Sequence, residues 1–182
     1  VGGRVFAGAT RQFPIASGYA ANIFNGDVVK LINDGTIEKD TGTATATPVG
    51  VFVGCSYTSP ALGYTLFSQY YPTGTVASDI VAYVIDDPDA LFKVAVTAAG
   101  TANIATVART AVGNNSVLIQ TAGSTATGDS KISISSTTAT TNTQPIRIID
   151  VVPETATGAD AFVEVIVKWN FGMHQYQNAT GV

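Results

Sequence analysis

Residues 25–40 read NGDVVKLINDGTIEKD, two short β-branched bursts on either side of Asn33-Asp34-Gly35. The pattern recurs along the chain. Brief apolar runs are cut by clusters of Gly, Pro, Asn, Asp and Thr, the signature of strands and turns rather than long helices. Asn, Asp and Gly tolerate the positive φ of a tight hairpin, so 28–32 and 36–39 are expected to pair. Further strands are expected over 49–58, 64–71, 81–85, 91–96, 117–121, 131–135, 146–152 and 161–170. Gly50 and Gly54 mark bulges or close backbone approach. KISIS (131–135) and AFVEVIVKWN (161–170) alternate as half-buried strands do, the latter with Val163, Val165, Val167 and Trp169 on its apolar face. The Ala- and Thr-rich stretch 97–112 admits a short helix over 102–109. Asn114-Asn115 reads as a turn, and 41–47, 122–128 and 136–143 as polar loops. The expected fold is mainly β: a small β-barrel or β-sandwich with long Thr/Ala/Gly-rich loops and at most one or two short helices. An N-terminal arm (1–13) would precede one β-rich domain (14–182), divisible into a barrel-like lobe (14–97) and a second β lobe (98–182).

Charge narrows the function. Net charge is −4 and the sequence pI about 4.7, which leaves no electrostatic footprint for nucleic acid. No apolar run approaches the roughly 20 residues of a membrane helix. Only 12% of residues are charged, against about 25% in ordinary soluble domains. The surface must therefore be built from Thr, Ser, Asn and Gly. Interface cores are depleted in charge, so such a surface suits lasting contact with other protein. A hydroxyl-rich β domain that is simply uncharged accounts for the same composition.

Catalytic and metal chemistry find little support. The lone His174 lies near the C-terminus, where an exposed ring or one structural hydrogen bond is expected rather than catalysis. Serines are plentiful, but none sits in a nucleophile elbow. One His and one Cys cannot make a zinc site, and Cys55, in VGVFVGCSY, reads as a buried small hydrophobe. Phosphate-binding glycine motifs are absent. The densest acidic cluster is Asp86, Asp87 and Asp89 around Pro88; it lacks calcium-loop spacing and reads better as a turn than as a cation site. The carboxylates of residues 25–40 likewise read as turn residues and solubilising rim charges. No cofactor and no enzymatic activity are expected. An enzyme using carboxylates alone would need two buried, neighbouring acids in a cleft.

The order GYAANIFNGDVVKLINDGTIE, PVGVFVGCSY, FSQYYPTGTV, VAYVIDDPDALFKV, and then SKISI, PIRIIDVV and VKWNFGMHQYQNATGV resembles a group of tailed-bacteriophage structural proteins encoded beside the major capsid protein. The first part also resembles the small β-barrel of capsid decoration proteins, with Gly26, Asp27, Val29, Gly35, Val49, Gly50 and Val51 at the matching positions. The resemblance implies a virion structural protein, a head decoration or cement protein on the capsid exterior, made in the bacterial host cytoplasm. Its implied partners are the major capsid protein and itself, as a homo-oligomer and by analogy a trimer, with no nucleic acid and no membrane. Arg4, Phe6, Arg11 and Phe13 are the candidate capsid-contact arm, and Tyr70, Tyr71 and Trp169 the candidate interface aromatics. The rival reading is a tail component or head protrusion that binds host glycans, with Tyr64, Phe67, Tyr70, Tyr71 and Trp169 as stacking faces. Burial of Tyr70 and Tyr71 would make them core instead.

Overall fold

The computed structural model describes residues 10–182. Arg4 and Phe6 lie outside the described residues. Arg11 and Phe13 do not belong to a free arm: they sit in strand β1 (Arg11–Pro14), which opens the first sheet. The other strands of that sheet are β2 (Val28–Leu31), β3 (Ile37–Lys39), β4 (Gly50–Thr58), β5 (Thr65–Ser68) and β6 (Val81–Ile85). Their order is β1-β6-β4-β2-β3, with β5 paired to the far end of β4. The hairpin of residues 25–40 forms as expected. Leu31 opposes Ile37, Gly35 takes φ +82°, and Asp34 Oδ1 accepts from the Thr36 N–H and hydroxyl. The two glycines of β4 also behave as expected. The register shifts between Phe52 and Gly54. A Cβ on Gly50 would lie 2.2 Å from the Ile85 carbonyl oxygen, so only Gly lets β4 and β6 approach there.

The second unit contains β7 (Phe92–Thr97), β8 (Asn115–Ile119), β9 (Ser133–Ala139), β10 (Ile146–Val151), β11 (Ala156–Gly158), β12 (Ala161–Phe162) and β13 (Glu164–Trp169). Five of these close a barrel in the order β10-β13-β7-β9-β8, while β11 and β12 form a small ribbon. The mainly β architecture thus stands, with its closed barrel in the C-terminal half. β7, expected with the first lobe, belongs to this barrel because Phe92–Ala95 pair with Val167–Glu164. No helix forms over 102–109. There, Ile104 bridges Thr97 and Val107 bridges Phe162, and Val107 is buried in the barrel core. A single 3-10 turn, Arg109–Ala111, follows. Asn115 is a buried strand residue rather than a turn, and β9 runs on through the start of an expected loop to Ala139.

Two cores result, and one strand serves both. Val29 packs with Phe52, Ile37, Tyr71 and Val84 in the first core. Its neighbour Val28 packs with Ile134, Ile148, Val165 and Trp169 in the barrel core, with Val51 against the same cluster. Successive strand side chains point to opposite faces. One end of the first sheet's outer face is therefore covered by the barrel, and the two units share apolar burial.

Candidate interaction surfaces

The junction between the units is built around Asp27, which is fully buried. Its Oδ2 accepts from the Phe24 N–H at 2.9 Å and pairs with Lys39 Nζ at 2.8 Å; its Oδ1 accepts from the Ser130 hydroxyl at 2.6 Å. Asp40, also buried, accepts from the N–H groups of Gly42 and Thr47. Burial raises its carboxyl above the ordinary value, while those two N–H groups pull the other way. The rim reading is thereby corrected for both residues. They lie inward because donors from distant segments meet them, and only Asp34 and Glu38 do turn and surface work, Glu38 pairing with Lys30. Asp27 and Asp40 are the buried carboxylates of the described chain. Their oxygens are taken by these donors, and neither residue lines the molecule's apolar cavity.

The acidic corner is a set of turn contacts. Asp86 pairs with Arg11 at 2.7 Å and accepts from the Tyr176 hydroxyl; Asp87 Oδ1 accepts from the Asp89 N–H; Asp89 pairs with Lys168. Among the described residues no three His, Cys, Asp or Glu side chains converge as metal ligands. His174 is buried rather than exposed. Its Nδ1 accepts from the Tyr176 N–H at 3.2 Å, and its ring packs edge-on to Tyr176. Burial lowers its pKa, and the nearby carbonyls of Val49 and Asp86 only partly offset that. Nε2 has no partner at hydrogen-bonding geometry. Burial pushes the Cys55 thiol up to about 12, which makes it a packed thiol rather than a nucleophile.

The candidate interface aromatics divide. Tyr71 is fully buried in the first core and Trp169 almost so in the barrel core. Tyr71 fills the middle of its cluster and presents no face to a partner or to a sugar; Trp169 is shut off from the outer surface and lines only the internal apolar cavity. Tyr70 is half-buried and stacks on Phe24, with ring centroids 5.5 Å apart. The exposed apolar residues are others. The ladder registers place Pro14, Val81, Ser56 and Phe67 side by side across β1, β6, β4 and β5. This row lies on the outer face beyond the part that the barrel covers. Phe67 is 79% exposed. Tyr83 donates to or accepts from the Ser56 hydroxyl at 3.1 Å, and Gln12 opposes Tyr83 in the neighbouring row. The β4–β5 hairpin adds Leu62 and Tyr64, and Val76 borders it beside Thr58 and Pro60. No Lys, Arg, Asp or Glu stands in either row of this face. Sequence reading weighed Phe67 only as a sugar-stacking face. The alternation Thr65-Leu66-Phe67-Ser68 carried the signal, since Leu66 packs inward on the core and so turns Phe67 outward.

Comparison with protein families, with curated proteins and with solved structures found no match to this chain.

Proposed function

We propose that this chain is a non-enzymatic structural protein of a tailed-bacteriophage virion, a decoration protein that stabilises the capsid through contacts with the major capsid protein and with copies of itself. The observation that carries this reading is a pair of uncharged rows on the outer face of the first sheet, Pro14-Val81-Ser56-Phe67 and Gln12-Tyr83, bordered by the Thr58–Asp79 contact. Exposed apolar area rimmed by polar residues is what docking surfaces offer. The order of motifs that resembles phage structural proteins supplies the kind of partner. On a repeating shell each contact contributes modestly, and multiplicity holds the lattice.

The test is co-sedimentation of the purified protein with capsids assembled without it, together with cryo-electron microscopy of the decorated shell. Wild-type protein is expected to sediment with capsids and bridge neighbouring subunits. Phe67→Asp should weaken attachment by roughly tenfold or more, as loss of a central aromatic anchor does, with its own melting temperature unchanged. Equal binding by the variant, or capsids that resist heat and low ionic strength equally well without the protein, would sink the proposal.

A further inference from the structure

The barrel closes by one parallel join, and that join is short. β7 and β9 pair only at Val96 with Ile134 and Thr97 with Ser135. Upstream, the two chains part. The chain ahead of β9 turns toward the first sheet, where the Ser130 N–H donates to the Asn25 carbonyl at 2.8 Å and the Ile132 N–H to the Ser130 hydroxyl at 3.1 Å. β7 continues back along β13. Lys93, Val94 and Ala95 on one side and Ser130 and Ile132 on the other line the slot left between them.

Alternation fixes which backbone groups face this slot. The Val96 N–H donates to the Val163 carbonyl at 2.8 Å, and the Val96 carbonyl accepts from Ala105 at 3.0 Å. Both groups of Val96 therefore point to the β13 side, as do those of Val94 and Phe92. The main-chain groups of Lys93 and Ala95 point the other way, into the slot. With pairing limited to Val96 and Thr97, the Lys93 N–H and carbonyl and the Ala95 N–H have no main-chain partner among the described residues. Charged residues on open edges discourage strand addition, but the Lys93 ammonium is drawn to Glu164 on β13 at 2.9 Å.

Behind this edge lies an apolar cavity of about 320 Å³, walled by Phe92, Val94, Val51, Ile132, Leu118 and Trp169. The volume stands near the lower end of ligand-binding pockets, roughly 300–1,000 Å³. The Trp169 indole N–H is buried and has no partner. An open strand edge fused to an apolar pocket matches strand addition, where main-chain bonds give affinity and a side-chain pocket gives selectivity.

We infer that the slot between β7 and residues 130–132 receives an extended segment of another protein, paired as a strand on Lys93–Ala95 with one large apolar side chain in the cavity. The incoming segment is uncharged where it meets the pocket and alternates apolar with polar residues. This site is separate from the outer face of the first sheet, and the inference stands or falls without reference to a capsid.

The probe is an end-capped synthetic heptapeptide alternating threonine and leucine, beside a twin whose edge-facing amides are N-methylated. Binding is read by the fluorescence of Trp169, the only tryptophan, and by hydrogen exchange of the Lys93 and Ala95 amides. The parent peptide should slow exchange at both amides, and methylation should weaken binding roughly tenfold or more. Ala95→Pro removes the slot-facing N–H without touching the β13 ladder and should cost a similar factor. Because proline can disturb folding, Ile132→Phe, which fills the cavity from the opposite wall and leaves Trp169 the only tryptophan, should abolish the fluorescence response independently. Equal binding by the methylated twin, unchanged exchange at the two amides, or a response to benzene without one to the peptide would overturn strand addition.

Discussion

The first sheet and the barrel bury their apolar residues in opposite ways. The ladders of the sheet are all antiparallel and do not close: a single parallel bridge, Ile15 with Ile37, links the end of β1 to β3, β5 pairs on one side only, and part of the outer face meets solvent. It combines local hairpins, β2 with β3 and β4 with β5, with ladders of β6 on β4 and on the distant β1. The barrel closes on itself through strands far apart in sequence, such as the β7–β13 ladder whose Lys93 and Glu164 are 71 residues apart. Closure removes edges, except at the short parallel join. The difference teaches where a partner can engage. The open unit offers a face, and the closed unit offers only its seam.

The comparison holds only if the two units are one cooperative body, and Asp27 is the place to break it. Asp27→Ala carries the largest expected effect, a loss of about 3–5 kcal/mol, because it leaves the Lys39 ammonium without its buried partner. The Phe24 N–H and the Ser130 hydroxyl lose their acceptor too. Urea unfolding followed by Trp169 fluorescence reports the barrel, and hydrogen exchange of β4 amides reports the sheet. Both transitions should move together. Movement of one alone would mean that Val28 and Val51 in the barrel core do not couple the units.

Gly50→Ala comes next and should separate the units by location. Its Cβ would meet the Ile85 carbonyl at 2.2 Å and a Val84 methyl at 2.8 Å, so β4 and β6 must part. The expected cost is about 1–3 kcal/mol, typical of overpacking a tight site. Hydrogen-exchange protection should fall further in β2 and β6 than in β10 and β13. Equal loss everywhere would mean that the sheet has no local opening of its own.

The same contrast decides what was legible in the sequence. The hairpin at 33–35 and the glycines of β4 act through turn chemistry and close approach, which the nearest residues encode. Apolar alternation along β13 was equally readable, and Val165, Val167 and Trp169 are buried as their parity implied, whereas Val163 is half-buried at the break before β13 and Phe162, of the opposite parity, enters the barrel core. Elsewhere the partner is distant and local signals mislead. Residues 137–139 look like polar loop but gain a ladder with Asn115 and Ser116. The stretch 102–109 composes like a weak helix but finds edges at Thr97 and Phe162. Asp27 is indistinguishable from a rim aspartate until Lys39 and Ser130 arrive from 12 and 103 residues away.

His174 lets pH act on the tail that ties the barrel to the first sheet. That tail is anchored by Gln175, whose side chain exchanges two hydrogen bonds with the Leu31 backbone. Burial depresses the folded-state pKa of His174 below the ordinary 6.5. The unfolded chain therefore binds the proton first, so stability is fully present above about pH 6.5 and declines as pH falls below it. The slope should approach at most about 1.4 kcal/mol per pH unit. Melting temperatures measured from pH 7.5 down to pH 5 should fall in the wild type and more shallowly in His174→Gln. Parallel profiles would mean that the ring protonates without leaving its site.

The smallest effect expected is at the Lys168–Asp89 pair, which joins the turn between the two units to β13 at 2.9 Å. The side chains are 34% and 53% exposed, so water screens the attraction and holding both costs side-chain entropy. Lys168→Met should change stability by less than about 0.5 kcal/mol, and added salt should shrink even that. Shared apolar burial through Val28 and Val51, not surface charge, would then be what joins an open sheet to a closed barrel. A loss well above about 1 kcal/mol in urea titration would reverse that ranking, because the turn's own geometry would be setting how the sheet meets the barrel.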